Sequence, residues 1–329
     1  MSLLAPTLQS FFTERLVHQR QASPATVASY RDSLRLLLGF AADTTGKAPS
    51  TLGFEDLDAD MISAFLTHLE TDRHNTARTR NNRLAAIRAL FRYAALRHPE
   101  HAELIARVLA IPQKRHDKAI ITYLTHDEAQ ALLAAPNPGR WEGRRDRALL
   151  ALTVQTGLRL AELTNLNCGD VTFGPGAHVS CFGKGRKQRV VPLTANTAAV
   201  LRTWTRERQG LQEDPLFPTR TGRRLSTHGI QRRVTLHVNA ATGHCPSLAA
   251  KNVTPHVLRH TAAMALLQAG VDVSVIALWL GHEDTRSTQA YLHADLAIKE
   301  RALAATTATT AKPGRFKPSD PLLAFLEAL

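Results

Sequence analysis

TPHVLRHTAAMALLQAGVDVSVIALWLGHEDTRSTQAY, residues 254–291, sets the reading of the whole chain. Thr254 suits an N-cap and Pro255 the first helical position, so a helix opens there. His256 falls at the second helical position, and Arg259, three residues on, shares its face. Both project near free helix-start amides, a setting in which phosphate binds. Val257, Leu258, Ala262, Leu266 and Leu267 give the helix a buried side, and Gly270 ends it. A second apolar helix through Val273, Ile276, Leu278 and Leu280 stops at Gly281 and leaves His282 just beyond its end. Tyr291 follows in a polar segment. Two histidines, an arginine and a tyrosine thus stand at element ends, where chemistry is usually placed.

With 329 residues, the chain is long enough for two domains and a substantial core. A formal charge of +13 points to a polyanionic partner. Nucleic acid fits better than a membrane surface, because no basic amphipathic helix with a Trp/Phe face stands out. No apolar run approaches the roughly 18 residues needed to span a bilayer. The opening MSLLAPTLQSFFTERL has no basic stretch before an apolar core, so no signal peptide is expected. Cys168, Cys181 and Cys245 are odd in number and form no CxxC pair, so reduced, buried thiols of a cytoplasmic protein are expected.

Upstream, the pattern is helical. One helix is expected over 3–20, and Ser23-Pro24 opens a long second one carrying Val27, Tyr30, Leu34 and Leu37. Asp58 caps a third, and a fourth runs from about Thr76 to Leu96. Between Arg73 and His98 lie seven arginines and no acidic residue. On one helix alone such a run is ordinarily a solvated face. Beside the total charge, Arg78, Arg80, Arg83 and Arg88 are the better candidates for tracking phosphates.

The polar stretch near Pro112 reads as a linker over 113–121, dividing a helical domain, 1–112, from a second domain, 122–305. Of the net +13, +2 lies in residues 1–112 (13 basic, 11 acidic) and +11 in residues 113–329 (28 basic, 17 acidic). Thr125-His126-Asp127-Glu128 is a capping box. Short β-prone runs at 171–173, 178–182 and 189–193, with Gly-rich turns between, predict a small antiparallel sheet. Lys184 sits at its Gly-flanked hairpin tip, and Lys187 and Arg189 beyond it are further candidate DNA contacts. In the tail, 306–329, Pro321 opens a short helix with Leu322, Leu323, Phe325, Leu326 and Leu329, too short to stand alone. It must dock on its own chain or on a neighbour. The fold class is mainly α with a small antiparallel sheet, an α+β chain of two domains.

For a phosphodiester substrate with Tyr291 as nucleophile, two problems arise. Negative charge builds on the non-bridging oxygens, and a free phenol loses its proton only near pH ~10. Arg159 and Arg259 answer the first through the guanidinium fork. His256 or His282 could bond a phosphate oxygen or help deprotonate the tyrosine. Lys184 is a candidate acid for the leaving 5′ oxygen. Glu162, one turn after Arg159, could hold that arginine or a histidine in place. Taken singly, each has a plainer reading: Arg159 pairing with Glu162, a satisfied structural histidine, a solvated lysine, a surface tyrosine. His256 and His260 resemble half of a zinc site, but Val257 stands where HExxH needs glutamate. No metal and no cofactor are expected, and no acidic cluster suits a two-metal nuclease.

TGLRLAELTNLNCGDV (156–171), FGKGRKQRVVPL (182–193), TPHVLRHTAAMALLQAG (254–270) and LGHEDTRSTQAY (280–291) resemble, in order and spacing, the motifs of the tyrosine recombinases, the phage integrase and Xer group. The resemblance covers most of 120–300 and, more loosely, the helical first domain. It implies Tyr291 as a nucleophile forming a 3′-phosphotyrosyl bond, with Arg159, Lys184, His256, Arg259 and His282 as the catalytic cluster and Glu162 as its support. It further implies a two-domain clamp on double-stranded recombination sites, and a tetramer on DNA, alone or with related recombinases. Strand exchange would pass through a Holliday junction without metal or ATP. The roles it leaves open are integration or excision of a mobile element, Xer-type dimer resolution, a non-cleaving accessory protein of the same fold, and a relaxing topoisomerase.

Overall fold

The computed structural model describes residues 4–115, 121–183, 188–282, 288 and 291, and the chain divides into two compact units, Met1–Lys118 and Ala119–Leu329. In the first, α1 (Leu4–Ser10) runs into π-type turns over Phe11–Gln19. The single helix expected over 3–20 therefore changes its winding midway, which brings Phe11 and Leu16 into the core. Gln21, at φ 44°, then breaks the run. The start of α2 (Pro24–Thr45) follows from its first two residues: Ser23 Oγ accepts the Thr26 amide at 3.2 Å, and Pro24 needs no amide partner. Gly46 closes it at φ 71°, a left-handed turn that costs glycine nothing. Asp58 and Thr76 cap α3 (Ala59–Thr71) and α4 (Ala77–Ala94) in the same way. A fifth helix, α5 (Ala102–Ala110), was not expected from the sequence; it buries Ile105 and Val108. Phe11, Phe54, Phe65 and Phe91 fill the centre of the bundle, with Phe54 and Phe91 edge to face at 6.2 Å.

The segment after α5 is bound to its own unit. Arg80 Nη1 donates to Pro112 O at 3.2 Å, Arg88 Nη2 donates to Ile111 O, and Asn81 and Lys114 exchange bonds of 2.8 and 3.0 Å. Lys114, within the stretch read as a linker from the sequence, is thus fastened to α4.

The second unit is built on α7 (Trp141–Thr156), whose Ala148, Leu149, Leu150 and Leu152 are wholly buried. It packs between α9 (Ala195–Arg208) and α11 (Pro255–Gln268). Before it lies α6 (His126–Ala134), started by the Thr125/Glu128 capping box; after it come α8 (Leu160–Asn165) and the sheet. The strands β1 (Val171–Thr172), β2 (His178–Phe182) and β3 (Gln188–Pro192) pair antiparallel in the order β1-β2-β3, with Val179 opposite Val191 and Cys181 opposite Arg189. Strand alternation sends Val179, Cys181, Arg189 and Val191 to the inner face and leaves Phe182 and Val190 outside. The remaining helices are α10 (Thr227–Ala241) and α12 (Val273–Leu280). All three cysteines are free thiols; Cys181 is buried as expected, whereas Cys168 and Cys245 are only half-buried. Among the described residues no helix is long and apolar enough to cross a membrane.

One buried carboxylate organises the interior beside α7. Asp146, with no exposed surface, accepts from Arg145 at 2.8 and 2.9 Å, from Arg233 at 2.6 Å and shares a 2.8 Å bond with His237. Burial alone would push its pKa up, but His237 and the two guanidinium groups outweigh that and hold it below the ordinary carboxylate value.

Candidate active site

Three helix ends meet at one place. α7 finishes at Gly157, in a left-handed turn at φ 63° where an added Cβ would lie 2.8 Å from Leu280 Cδ2. α12 finishes at Gly281, at φ 66°, and α11 begins with the Thr254 cap and Pro255. The carbonyls at the first two ends have run out of helical amides. Arg259, 4% exposed, donates Nη1 to Gly157 O and Nη2 to Leu280 O, each at 2.7 Å. Arg159, the residue before α8, donates Nη2 to Gly281 O at 2.7 Å. Both cations therefore sit where the helix dipoles are negative. Burial, with Arg159 nearby, lowers the Arg259 pKa to about 10, so it stays charged at neutral pH.

Glu162 fixes the arginine side of the site. It takes the Arg159 amide at 2.7 Å and Arg159 Nη1 at 3.0 Å. Arg189 binds it with both ends of its fork, at 2.6 and 2.7 Å. The expectation that Glu162 supports Arg159 and the plainer expectation of an ion pair one turn apart describe the same contact. Burial pushes the Glu162 pKa up, but the Arg189 and Arg159 bonds prevail and hold it below the ordinary value. The structure gives Arg189 an internal partner. Its position on the inner face of β3, opposite Cys181, turns it toward Glu162 with a side chain only 12% exposed, so its fork is engaged by that carboxylate and not extended from the surface. Its parity with Val191, two residues along a strand, carries that signal in the sequence.

The other side of the site is made of rings. Tyr291 is 3% exposed and packs with Ala263, Met264, Leu267, Ile276 and Leu280. Its hydroxyl lies 3.0 Å from His260 Nδ1. The His256 and His260 rings meet edge to face at 4.2 Å, and the His282 ring lies nearly parallel to that of Tyr291 at 6.5 Å. His282 Nδ1 shares a 2.7 Å bond with Thr288 Oγ1. Burial raises the Tyr291 pKa, while Arg259 and Arg159 pull it down. Burial also lowers the His260 pKa, to about 4, helped by His256, Arg259 and His282. His260, read from the sequence only as half of a zinc pattern, is thus in contact with Tyr291. Its distance along the chain hid this.

Arg159, Glu162, His256, Arg259, His282 and Tyr291 are brought together; Lys184 and Lys187, like the tail helix beyond Pro321, lie outside the described residues. On α4 the arginines separate by role. Arg80 is buried, held by Pro112 O and 3.6 Å from Glu70, and Arg88 is half-buried on Ile111 O. Arg83 is half-buried and Arg78 exposed.

A buried, histidine-bonded tyrosine thus lies beside fixed arginines in a mostly helical unit with a small sheet. Residues 122–297 match the phage integrase family, and residues 10–98 match the N-terminal SAM-like domain of phage integrases. A Sinorhizobium fredii protein named as an integrase/recombinase is 54% identical over 326 residues, covering 99% of this chain and 98% of its own. The tyrosine recombinase XerC of Pelobacter propionicus is 32% identical over 286 residues, covering 87% of this chain and 90% of its own. The chain belongs to the phage integrase family of tyrosine recombinases. Solved structures share the fold. The XerH site-specific recombinase bound to palindromic difH substrate matches with a TM-score of 0.70 at 24% identity, over 87% of this chain and 81% of that one. The Tn1549 transposon integrase with circular intermediate DNA matches at 0.68 and 16% identity, over 92% and 99%.

Proposed function

We propose that this site-specific recombinase cuts each DNA strand by attack of Tyr291 Oη on phosphorus, leaving a 3′-phosphotyrosyl bond and a free 5′ hydroxyl that later rejoins. The observation that carries this reading is the Tyr291 hydroxyl bonded to His260 at 3.0 Å, with the His282 ring parallel to the phenol; burial raises the phenol pKa, and Arg259 and Arg159 offset part of that rise. Arg159 and Arg259 neutralise the charge that grows on the non-bridging oxygens. Their described contacts use two of the five N–H donors on each guanidinium, so a fork remains for phosphate. His256, exposed at the second position of α11, and His282 bond the same oxygens. Lys184 protonates the departing 5′ oxygen. Side-chain cations supply the positive charge throughout, and no step calls for a metal ion or nucleotide.

The working assembly is a tetramer on double-stranded recombination sites that passes through a Holliday junction, with residues 1–112 and the second unit both contacting the duplex in the cytoplasm. Integration or excision of a mobile element is the role favoured by the 54% identity to a protein named as an integrase/recombinase, above the 32% identity to XerC. The test uses a nicked duplex carrying a site selected for binding from a random pool. The protein should form an adduct that survives denaturation, and Tyr291→Phe should abolish it while binding persists. Binding without any adduct would make the chain a non-cleaving accessory protein. Relaxation of plasmids lacking the site would make it a topoisomerase.

A further inference from the structure

We propose that His260 is the acceptor of the Tyr291 proton during strand cleavage. This rests on Tyr291 being the nucleophile and goes beyond it, since the catalytic cluster named above leaves the proton without a fixed destination. With its own hydrogen on Nε2, the His260 ring offers the Nδ1 lone pair to the Tyr291 hydroxyl at 3.0 Å, within reach for direct transfer. His260 lies one turn along α11 from His256, so the ring is carried by a fixed helix face and not by a loop. The step balances as follows. The Oη–H bond breaks and its proton moves to Nδ1; Oη bonds to phosphorus; the P–O5′ bond breaks, and its electron pair leaves on the 5′ oxygen, which is protonated by Lys184. Rejoining reverses each transfer, with the His260 imidazolium returning the proton to the phenol.

The surroundings make this base conditional on substrate. Among the described residues, the groups facing His260 are His256, Arg259, His282 and Tyr291, from α11 and from the chain beyond α12. None of them is an anion at neutral pH, and with burial they keep His260 neutral in the free protein. The buried phenol is likewise held protonated. The hydroxyl and the imidazole are therefore hydrogen-bonded but no proton moves. A phosphodiester arriving at Arg259, His256 and His282 adds a negative charge to that all-cationic or neutral setting. It offsets the field that disfavours a proton on His260, so the acceptor becomes competent where and when a phosphorus atom is present. Free enzyme would have no reactive phenolate to be wasted on water or stray electrophiles.

The test is single-turnover cleavage of the nicked duplex as a function of pH, by wild type, His260→Asn and His260→Gln, each also with 3,5-difluorotyrosine at position 291. Asparagine can accept the hydrogen bond but cannot take the proton. Both variants should bind DNA normally and cleave on the order of a hundredfold to ten-thousandfold more slowly at neutral pH. Their rates should then climb roughly tenfold per pH unit, as expected when hydroxide must remove the proton. The more acidic fluorinated phenol should restore much of the lost rate in the variants and little in wild type. Cleavage within about threefold of wild type, or an equal loss at every pH that fluorination does not recover, would overturn the proposal. Two variants are run so that a folding defect in one does not decide the matter. Adduct formation by wild type and its loss in Tyr291→Phe stand apart from this outcome, so failure here leaves the nucleophile assignment intact.

Discussion

Replacing Glu162 by alanine should damage both stability and cleavage, because this one carboxylate joins α8, β3 and the end of α12. The buried side chain accepts four bonds, two from Arg189 at 2.6 and 2.7 Å and two from Arg159 at 2.7 and 3.0 Å, three of them from guanidinium groups. Removing it leaves the nearly buried Arg189 cation beside the Arg159 cation with no anion between them. Breaking a buried pair from one side costs about 3–5 kcal/mol. For a unit of this size each kcal/mol moves the melting temperature by about 2–4 °C, so a fall of about 6–20 °C is expected. Glu162→Gln keeps the shape and loses the charge, and should fall between the two. The pH dependence follows from the sign of the shift. The folded carboxyl has a pKa below the ordinary 4.5, so its contribution is complete above that value and disappears as pH falls through the lower, folded one. The gap in melting temperature between wild type and Glu162→Gln should therefore narrow in acid. Calorimetric melting from pH 3 to 8, paired with single-turnover cleavage of the nicked duplex, measures both effects. A melting temperature for Glu162→Ala within about 2 °C of wild type would show that the four bonds contribute little, and the picture of Arg159 as a cation held in place by Glu162 would fail with it.

Two further outcomes separate structural from DNA-facing groups. Arg80→Ala should lower the stability of the first unit by about 2–3 kcal/mol, since it strips Pro112 O and Glu70 of a buried partner, whereas Arg78→Ala should leave melting unchanged and weaken DNA binding with a shallower salt dependence; melting curves and binding titrations over a range of salt read the two. Gly281→Ala should cost about 1–3 kcal/mol and slow cleavage, because φ 66° disfavours a side chain and the new Cβ would stand 2.7 Å from Arg189 Nη1, pushing that fork off Glu162; unchanged melting would mean that the end of α12 relaxes freely.

The helix starts were legible because capping is local. Ser23, Asp58, Thr76, Thr125 and Thr254 each accept an amide from three residues on, so sequence spacing and spatial spacing coincide. The same locality explains the paired strands, which are separated by short Gly-containing stretches of sequence. α5 carries Leu104, Ile105, Val108 and Leu109 at helical spacing, so its signal is present in the sequence and was simply not read. The Asp146 hub could not be read at all. Its partners Arg233 and His237 are 87 and 91 residues away, and nothing local distinguishes them from other cations on α10. The bond of Arg189 to Glu162 is legible only when parity is counted along with charge. In a run of basic residues at a hairpin, the one that alternates with Val191 points inward, whatever its charge favours.

These particulars bear on why the site is ordered before any DNA is bound. Each of the two arginines proposed to act at phosphorus is also the hydrogen-bond donor that completes a helix end, Arg259 for Gly157 and Leu280, Arg159 for Gly281. A cation tied to backbone carbonyls need not be gathered from solvent when substrate arrives, so little reorganisation is charged against the transition state. The arrangement also constrains what substitution can do. Lysine at either position would keep the charge but has a single nitrogen where two carbonyl or carboxylate partners and a phosphate must be met from different directions. The fold therefore selects arginine twice, once for the geometry of the helix ends and once for the geometry of phosphate.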